Sequence, residues 1–429
     1  MTTVAPTALL ALGALASVVV AAFLLRALPR TAFIAWTLVL FFVPIWVGAN
    51  AGVFWSAITA LTVLLLAAHW TRVPLHAADG WMAVFTALLI GLFLLRGITY
   101  PSLLTAVLEW VIPYTWGRIA CSRISTMWIT RAIALTATVA AGLALLEFAT
   151  SFNPFVLIPG PDPLYSAWDD LQPRGGFLRA EGAFGHSIAL GAVLAMSSAF
   201  VVAARWRLIP TIMSIALIVS GTVVTFSRAG LITLLITLVL SICLLPGVSA
   251  RLRATVAAVG AIGAIVIVPV VDSVLGAAGA EAAGSAGYRT DLLVLIQQVR
   301  PFGSSGDWTS LVAGDYYLGY FARSIDNALM LMLLRYGAIP TLLLLATITC
   351  VVLLVARQVG RNPAALAVVG QLPSLVVVAL ITQYGTFLWF CVGLAIGWGP
   401  VHRAAGDTGT SRTRTEAGYD MERPRTLHG

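Results

Sequence analysis

The chain reads as an all-α, polytopic integral membrane bundle, and three observations carry that reading. Of its 429 residues, 60% are apolar and only 10% charged, with a mean hydropathy of +0.97, whereas soluble domains are nearer ~25% charged. The apolar runs recur at the length needed to cross a bilayer, roughly 20 residues each, and there are about 12 to 14 of them. All 25 basic residues are arginine and most sit in short loops between the runs. That is the pattern of membrane orientation, not the footprint of a nucleic-acid binder.

In chain order, spans are expected near 7–25, 32–49, 53–69, 80–96, 102–117, 129–150, 184–204, 208–226, 229–245, 254–271, 326–356, 364–382 and 385–399. The opening run, MTTVAPTALLALG, lacks the basic start of a signal peptide and is expected to stay as a helix. Pro113 interrupts the fifth run, and Gly337 and Pro340 predict a break in the long one. Together these make a membrane domain over 1–399. The tail, 400–429, has a disordered composition. Cys121, Cys243, Cys350 and Cys391 stand singly and form no spaced set.

With the tail in the cytoplasm, 17 of the 25 arginines fall in cytoplasmic loops or the tail. The other eight are Arg96, Arg174, Arg179, Arg228, Arg289, Arg300, Arg323 and Arg335. Two long polar segments, 151–183 and 272–325, then lie outside. Between Tyr288 and Val299, the spacing of Leu292, Leu293, Leu295 and Ile296 predicts an amphipathic surface helix. Eleven of the 17 acidic residues fall from Glu147 to Asp326, beside seven of those arginines. Charges at a membrane boundary either pair with each other and with lipid headgroups or build a site. Arg179 and Arg228 sit two apolar runs apart and so return to one side. Two guanidiniums there can clamp a phosphate or pyrophosphate with forked hydrogen bonds.

Four segments carry a family resemblance: RAEGAFGHSIALG from Arg179, TFSRAGLI from Thr225, GYRTDLLVLIQQVRPFG from Gly287, and SIDNALMLMLLRYGAIP from Ser324. In order and on one side, they resemble the helix entry, T-x-S-R-[AG] segment, loop helix and closing element of the O-antigen ligase and polymerase family of bacterial membrane glycosyltransferases. The match covers about 180–340, and the first 150 residues match only as apolar spans.

The resemblance implies a GT-C-type architecture in the bacterial cytoplasmic membrane, with the active site on its extracytoplasmic side. It implies transfer of a glycan from an undecaprenyl-pyrophosphate carrier to a glycan or glycolipid acceptor, without metal or other cofactor and with no nucleic-acid partner. Membrane lipids are the remaining partners. Arg179, Arg228 and Arg289 would stabilise the leaving pyrophosphate. His186, Gly182, Asn327 and Arg335 would contact substrate. Ligases of this family usually offer His where this chain has Asp326. Asp326 is thus a base for the acceptor hydroxyl, the mark of a polymerase-type member, a helix cap, or the sign of an inactive variant. His186 is a substrate contact or a satisfied interfacial histidine. Glu181 and Asp291 would hold Arg179 or Arg289 in place. Tyr165, Trp168, Trp308, Tyr316 and Tyr317 would stack on sugars or anchor at the interface. Two rival classes remain: a flippase for lipid-linked glycans, which would need polar residues at the midplane, where Glu109 is the clearest case, and a structural partner of an assembly complex.

Overall fold

The computed structural model describes residues 19–161, 165–167, 171, 173–174, 176–258, 260, 292–306, 312–313, 316–317, 325, 327–357 and 362–398. Arg289, Asp291, Asp326, Trp168, Trp308 and the tail lie outside the described residues.

The fold is mostly helical. α1 (Val19–Ala27) and α2 (Pro29–Phe42) meet at a 114° bend, and Pro29 opens the second helix where its missing N–H costs nothing. A short hairpin, β1 (Gly48–Ala51) and β2 (Val53–Ser56), turns at Gly52 with φ +77°. α3 (Ala57–His69) starts at the Ser56 cap, and α4 is Ala77–Leu94.

The expected interruption at Pro113 takes a specific form. α5 (Tyr100–Thr105) and α6 (Ile112–Arg123) are joined through a π-helical turn, Ala106–Val111, so the helix runs on past the expected end at 117. Proline offers no N–H to a carbonyl one turn back, and the widened turn just before it accommodates the gap.

α7 (Thr126–Thr150), α8 (Ser187–Ala203), α9 (Leu208–Val223) and α10 (Arg228–Leu244) follow, then α11 (250–258). In the second polar segment, Leu292–Gln298 is a 3₁₀ helix rather than an α-helix. It buries Leu295 and exposes Ile296, so these two residues of the expected apolar face point to different surroundings. The long run breaks at Gly337, φ +91°, into α12 (Ala328–Tyr336) and α13 (Ala338–Arg357). Pro340 falls in the first turn of α13, where no donor is lost. The run at 364–382 is not one helix: α14 (Pro363–Gly370) passes into a short 3₁₀ turn (Leu372–Val376) and an irregular segment. α15 (Thr382–Gly397) closes the domain.

Among the described residues three helices, α4, α7 and α13, are long and apolar enough to cross a membrane, or four if the bent α1–α2 pair is one span. Large apolar side chains also face outwards, among them Leu135, Val139 and Leu146 on α7 and Ile232, Leu235 and Val239 on α10. A helix that is apolar on both its packed and its outer face belongs in lipid. The chain therefore has the surface of a membrane protein.

At the centre lie α8 and α15, whose residues are almost all buried. α15 packs backbone against backbone on α6: a Cβ on Gly393 would strike the Tyr114 carbonyl, and one on Gly117 the Phe390 carbonyl. α8 and α10 make a second close contact, where a Cβ on Gly230 would lie 3.2 Å from Gly191 Cα. α9 folds back between α8 and α10, so both of those helices start at one end of the domain, called here the Arg228 end. The other end carries the 204–207 turn and is called the Arg205 end.

Candidate functional site

The first two motif segments touch. Arg179 is buried, and its Nε donates to the Thr225 carbonyl at 2.9 Å. The next residue continues the pairing, with Ala180 N–H on the Val224 carbonyl at 3.1 Å. The Thr225–Arg228 turn is itself pinned: the Thr225 hydroxyl donates to the Thr222 carbonyl and accepts from Ser227 N–H, and Ser227 caps α10 through Gly230 N–H. Phe226 sits in this turn with φ +46°, a conformation that costs a non-glycine residue about 1 kcal/mol or more. Arg228 follows as the first residue of α10 and is exposed.

Beyond Arg179 the chain bends through Gly182 (φ +54°) and Gly185 (φ +62°), the left-handed region that favours glycine. Gly182 thus has a backbone role in the bend. His186 then caps α8, its Nδ1 accepting from Ile188 N–H at 3.2 Å. The acceptor role of Nδ1 places the imidazole proton on Nε2. Burial, helped by the Arg179 charge, pushes the His186 pKa down to about 4, so the ring is neutral at physiological pH. Two helix N-termini, those of α8 and α10, accordingly open side by side with Arg179 and Arg228. Amide donors, dipoles and guanidiniums all favour an anion there.

The last two motif segments also touch. Gly303 N–H and Ser305 N–H donate to the carbonyls of Tyr336 and Leu334, while Ala338 and Ile339 N–H donate to Arg300 and Pro301. The Pro-Gly turn thereby satisfies the backbone groups freed by the Gly337 break. Asn327 is the N-cap of α12, its side chain accepting from Met330 N–H at 2.9 Å. Asn327 therefore holds the cap position beside Asp326. Arg335 lies in the last turn of the same helix. Glu109 lines a cavity of about 330 Å³ with Ser56, Thr59 and Tyr100. Tyr165, considered for sugar stacking, donates its hydroxyl to the Val156 carbonyl.

The entry into α15 joins the two pairs. Ala328 N–H donates to the Val378 carbonyl at 3.1 Å, and the buried Gln383 amide donates to the carbonyls of Ala183 and Val43. Thr382, with φ +45°, makes the turn between them. All four motif segments are thus linked through one short stretch of chain.

Three side chains that hold this region carry no motif. Glu147, in the last turn of α7, is buried and accepts from Glu181 N–H, Gly182 N–H and the Asn153 amide at 2.9–3.0 Å. Asn153 also donates to the Gly182 carbonyl, and Gln383 completes the set. An acid within a 25-residue apolar helix is the signal that could have found Glu147; nothing local marks Gln383. Glu181 is fully buried. Among the described residues no three His, Cys, Asp or Glu side chains come together as a metal site. No family model, curated protein or solved structure matches the chain.

Proposed function

We propose that the chain is a polytopic bacterial membrane glycosyltransferase of the O-antigen ligase and polymerase type, taking a glycan from undecaprenyl pyrophosphate outside the cytoplasmic membrane. The observation that carries this reading is the hydrogen-bonded union of the Arg179 loop with the Thr225–Arg228 turn at two helix N-termini. Such a place suits a pyrophosphate leaving group. The acceptor hydroxyl oxygen forms the new bond to the anomeric carbon, and its proton passes to a base. The bond from that carbon to the pyrophosphate oxygen breaks, and the charge left on that oxygen meets Arg228, Arg179 and the α8 and α10 amides. Neutral His186 donates from Nε2 and does not compete as a cation. Arg289 and Asp326 complete the set as third guanidinium and base. Gly182 and Asn327 shape the entry to it, and Arg335 contacts substrate from α12.

The test is purified protein with an undecaprenyl-pyrophosphate-linked glycan in vesicles, read on a gel. A ladder of products identifies a polymerase, and a single shift with added glycolipid a ligase. Movement of the lipid-linked glycan across the bilayer with no new glycosidic bond would replace this reading by the flippase. Within that assay, Asp326→Asn is expected to lose ~10² to 10⁴-fold in turnover if Asp326 is the base. Because Asn327 holds the cap, the variant is expected to keep its fold.

A further inference from the structure

We propose that the Arg205 end carries a binding site for the phosphate-bearing head of an anionic lipid. A cavity of about 720 Å³ opens there, lined by Arg205, Trp206, Thr126, Ser249, Leu252 and Trp398 among others. It lies between the start of α7, the α8–α9 turn, the α10–α11 turn and the end of α15, away from Arg179 and Arg228.

Four observations point to an anion. Arg205 lines the cavity, and Arg207, Arg251 and Arg253 adjoin its lining residues Leu208 and Leu252 in sequence. No Asp or Glu occurs in residues 110–146, 182–271 or 327–398, so the elements around the cavity hold no carboxylate at this end. Among the described residues the one ion pair is Arg118 with Asp79, and neither lines the cavity. The helix starts at α7 and α9 both line it, and both lack a side-chain cap. First-turn amides left without a cap are donors that an anionic oxygen satisfies.

The rest of the lining points to an amphiphile rather than a free ion. Two tryptophans, Trp206 and Trp398, stand with Leu245, Leu252 and Val202 around the arginine. Ile209 and Met213, four residues apart on α9, continue an exposed apolar stripe away from the cavity. Basic pockets between helices at a membrane surface are suited to lipid phosphates. The backbone adds a further sign. Arg205 is held at φ +53°, with Arg131 Nε on the neighbouring Ala204 carbonyl. Glycine would occupy this position without strain, yet arginine stands there.

That strain makes the test two-signed. The full chain is melted in vesicles of phosphatidylcholine alone and of phosphatidylcholine with phosphatidylglycerol, and retained lipid is counted by native mass spectrometry. Wild type is expected to gain Tm and retain phosphatidylglycerol in the mixed vesicle. Arg205→Gly is expected to lose both gains while matching or exceeding wild-type Tm in phosphatidylcholine alone. Arg205→Asn, which also tolerates the left-handed backbone, repeats the measurement if the glycine variant loosens the turn. An undiminished gain in both variants would overturn the site. Inorganic phosphate reproducing the gain in phosphatidylcholine would overturn the lipid as ligand in favour of a free phosphate. The site stands apart from glycan transfer, so a null result in the transfer assay leaves it unaffected.

Discussion

Two buried arginines, Arg118 and Arg179, show how one residue type serves two ends of the same bundle. Arg118 meets Asp79 through both Nε and Nη2 at 2.8 Å and also bonds the Pro74 carbonyl. Tyr114 donates to the same carboxylate at 2.6 Å. This arginine closes a contact between α4 and α6, and its charge is spent inside the fold. Arg179 instead places Nε on a backbone carbonyl of the turn that carries Arg228. The carboxylate that anchors its loop, Glu147, is occupied by two backbone amides and an asparagine. Anchoring through backbone leaves the loop's shape fixed without an arginine–carboxylate clamp from Glu147. The contrast separates an arginine held by a carboxylate from one held to the backbone of a neighbouring turn.

The sharpest way to break this contrast is Arg179→Lys. Lysine keeps the charge and loses the fork, so turnover is expected to fall ~10² to 10³-fold. The unfolding free energy in detergent should shift by no more than the ~1.5–3 kcal/mol of one hydrogen bond from a charged group. Arg228→Ala, at an exposed position, should show the same loss of turnover with no change in melting. Equal losses of activity and stability at either residue would make it structural. At the other end, Asp79→Ala strands a buried charge and is expected to cost about 3–5 kcal/mol. Specific activity per folded molecule should survive, and a selective loss of activity there would erase the contrast.

Smaller effects sharpen it further. Asn327→Ala should cost about 1 kcal/mol, the usual worth of an N-cap, read by the same melt. His186 gives a pH signature. Its folded pKa, about 4, lies below the ordinary 6.5, so between these values the unfolded chain binds more protons. Its contribution to stability is complete above about pH 6.5 and is lost as pH falls towards 4. His186→Asn, which can still cap α8, should flatten that part of the stability curve. A turnover profile showing a His186-dependent break near pH 6.5 would contradict a neutral ring.

Much of the helix order could be read from apolar runs. The expected 184–204 and 229–245 segments correspond to Ser187–Ala203 and Arg228–Leu244. Hydropathy failed where apolar content continues through a change of backbone. Residues 364–382 are mostly apolar, yet the helix stops at Gly370, just before Gln371, Pro373 and Ser374, and the following segment presents the Val378 carbonyl to α12 and leads to Gln383. The 48–56 hairpin was unread for a similar reason, since its glycines sit among residues that suit a span. The meeting of Arg179 with the Thr225 turn was legible as a shared side. The Gln383 linkage was not, because an amide bonding backbone carbonyls leaves no spacing in the sequence. Arg289 and Asp326 lie outside the described residues.

The contact of Gly191 with Gly230 sets a dimension. His186 and Arg228 stand at the starts of two helices whose separation is fixed by main chain touching main chain, not by side chains that change rotamer. The spacing of those two helix starts therefore behaves as a fixed gauge. Substitutions of the side chains at those starts leave that spacing unaltered. A single methyl at Gly230 would recalibrate the gauge, moving the two helix starts apart by a few tenths of an ångström while leaving their side chains in place.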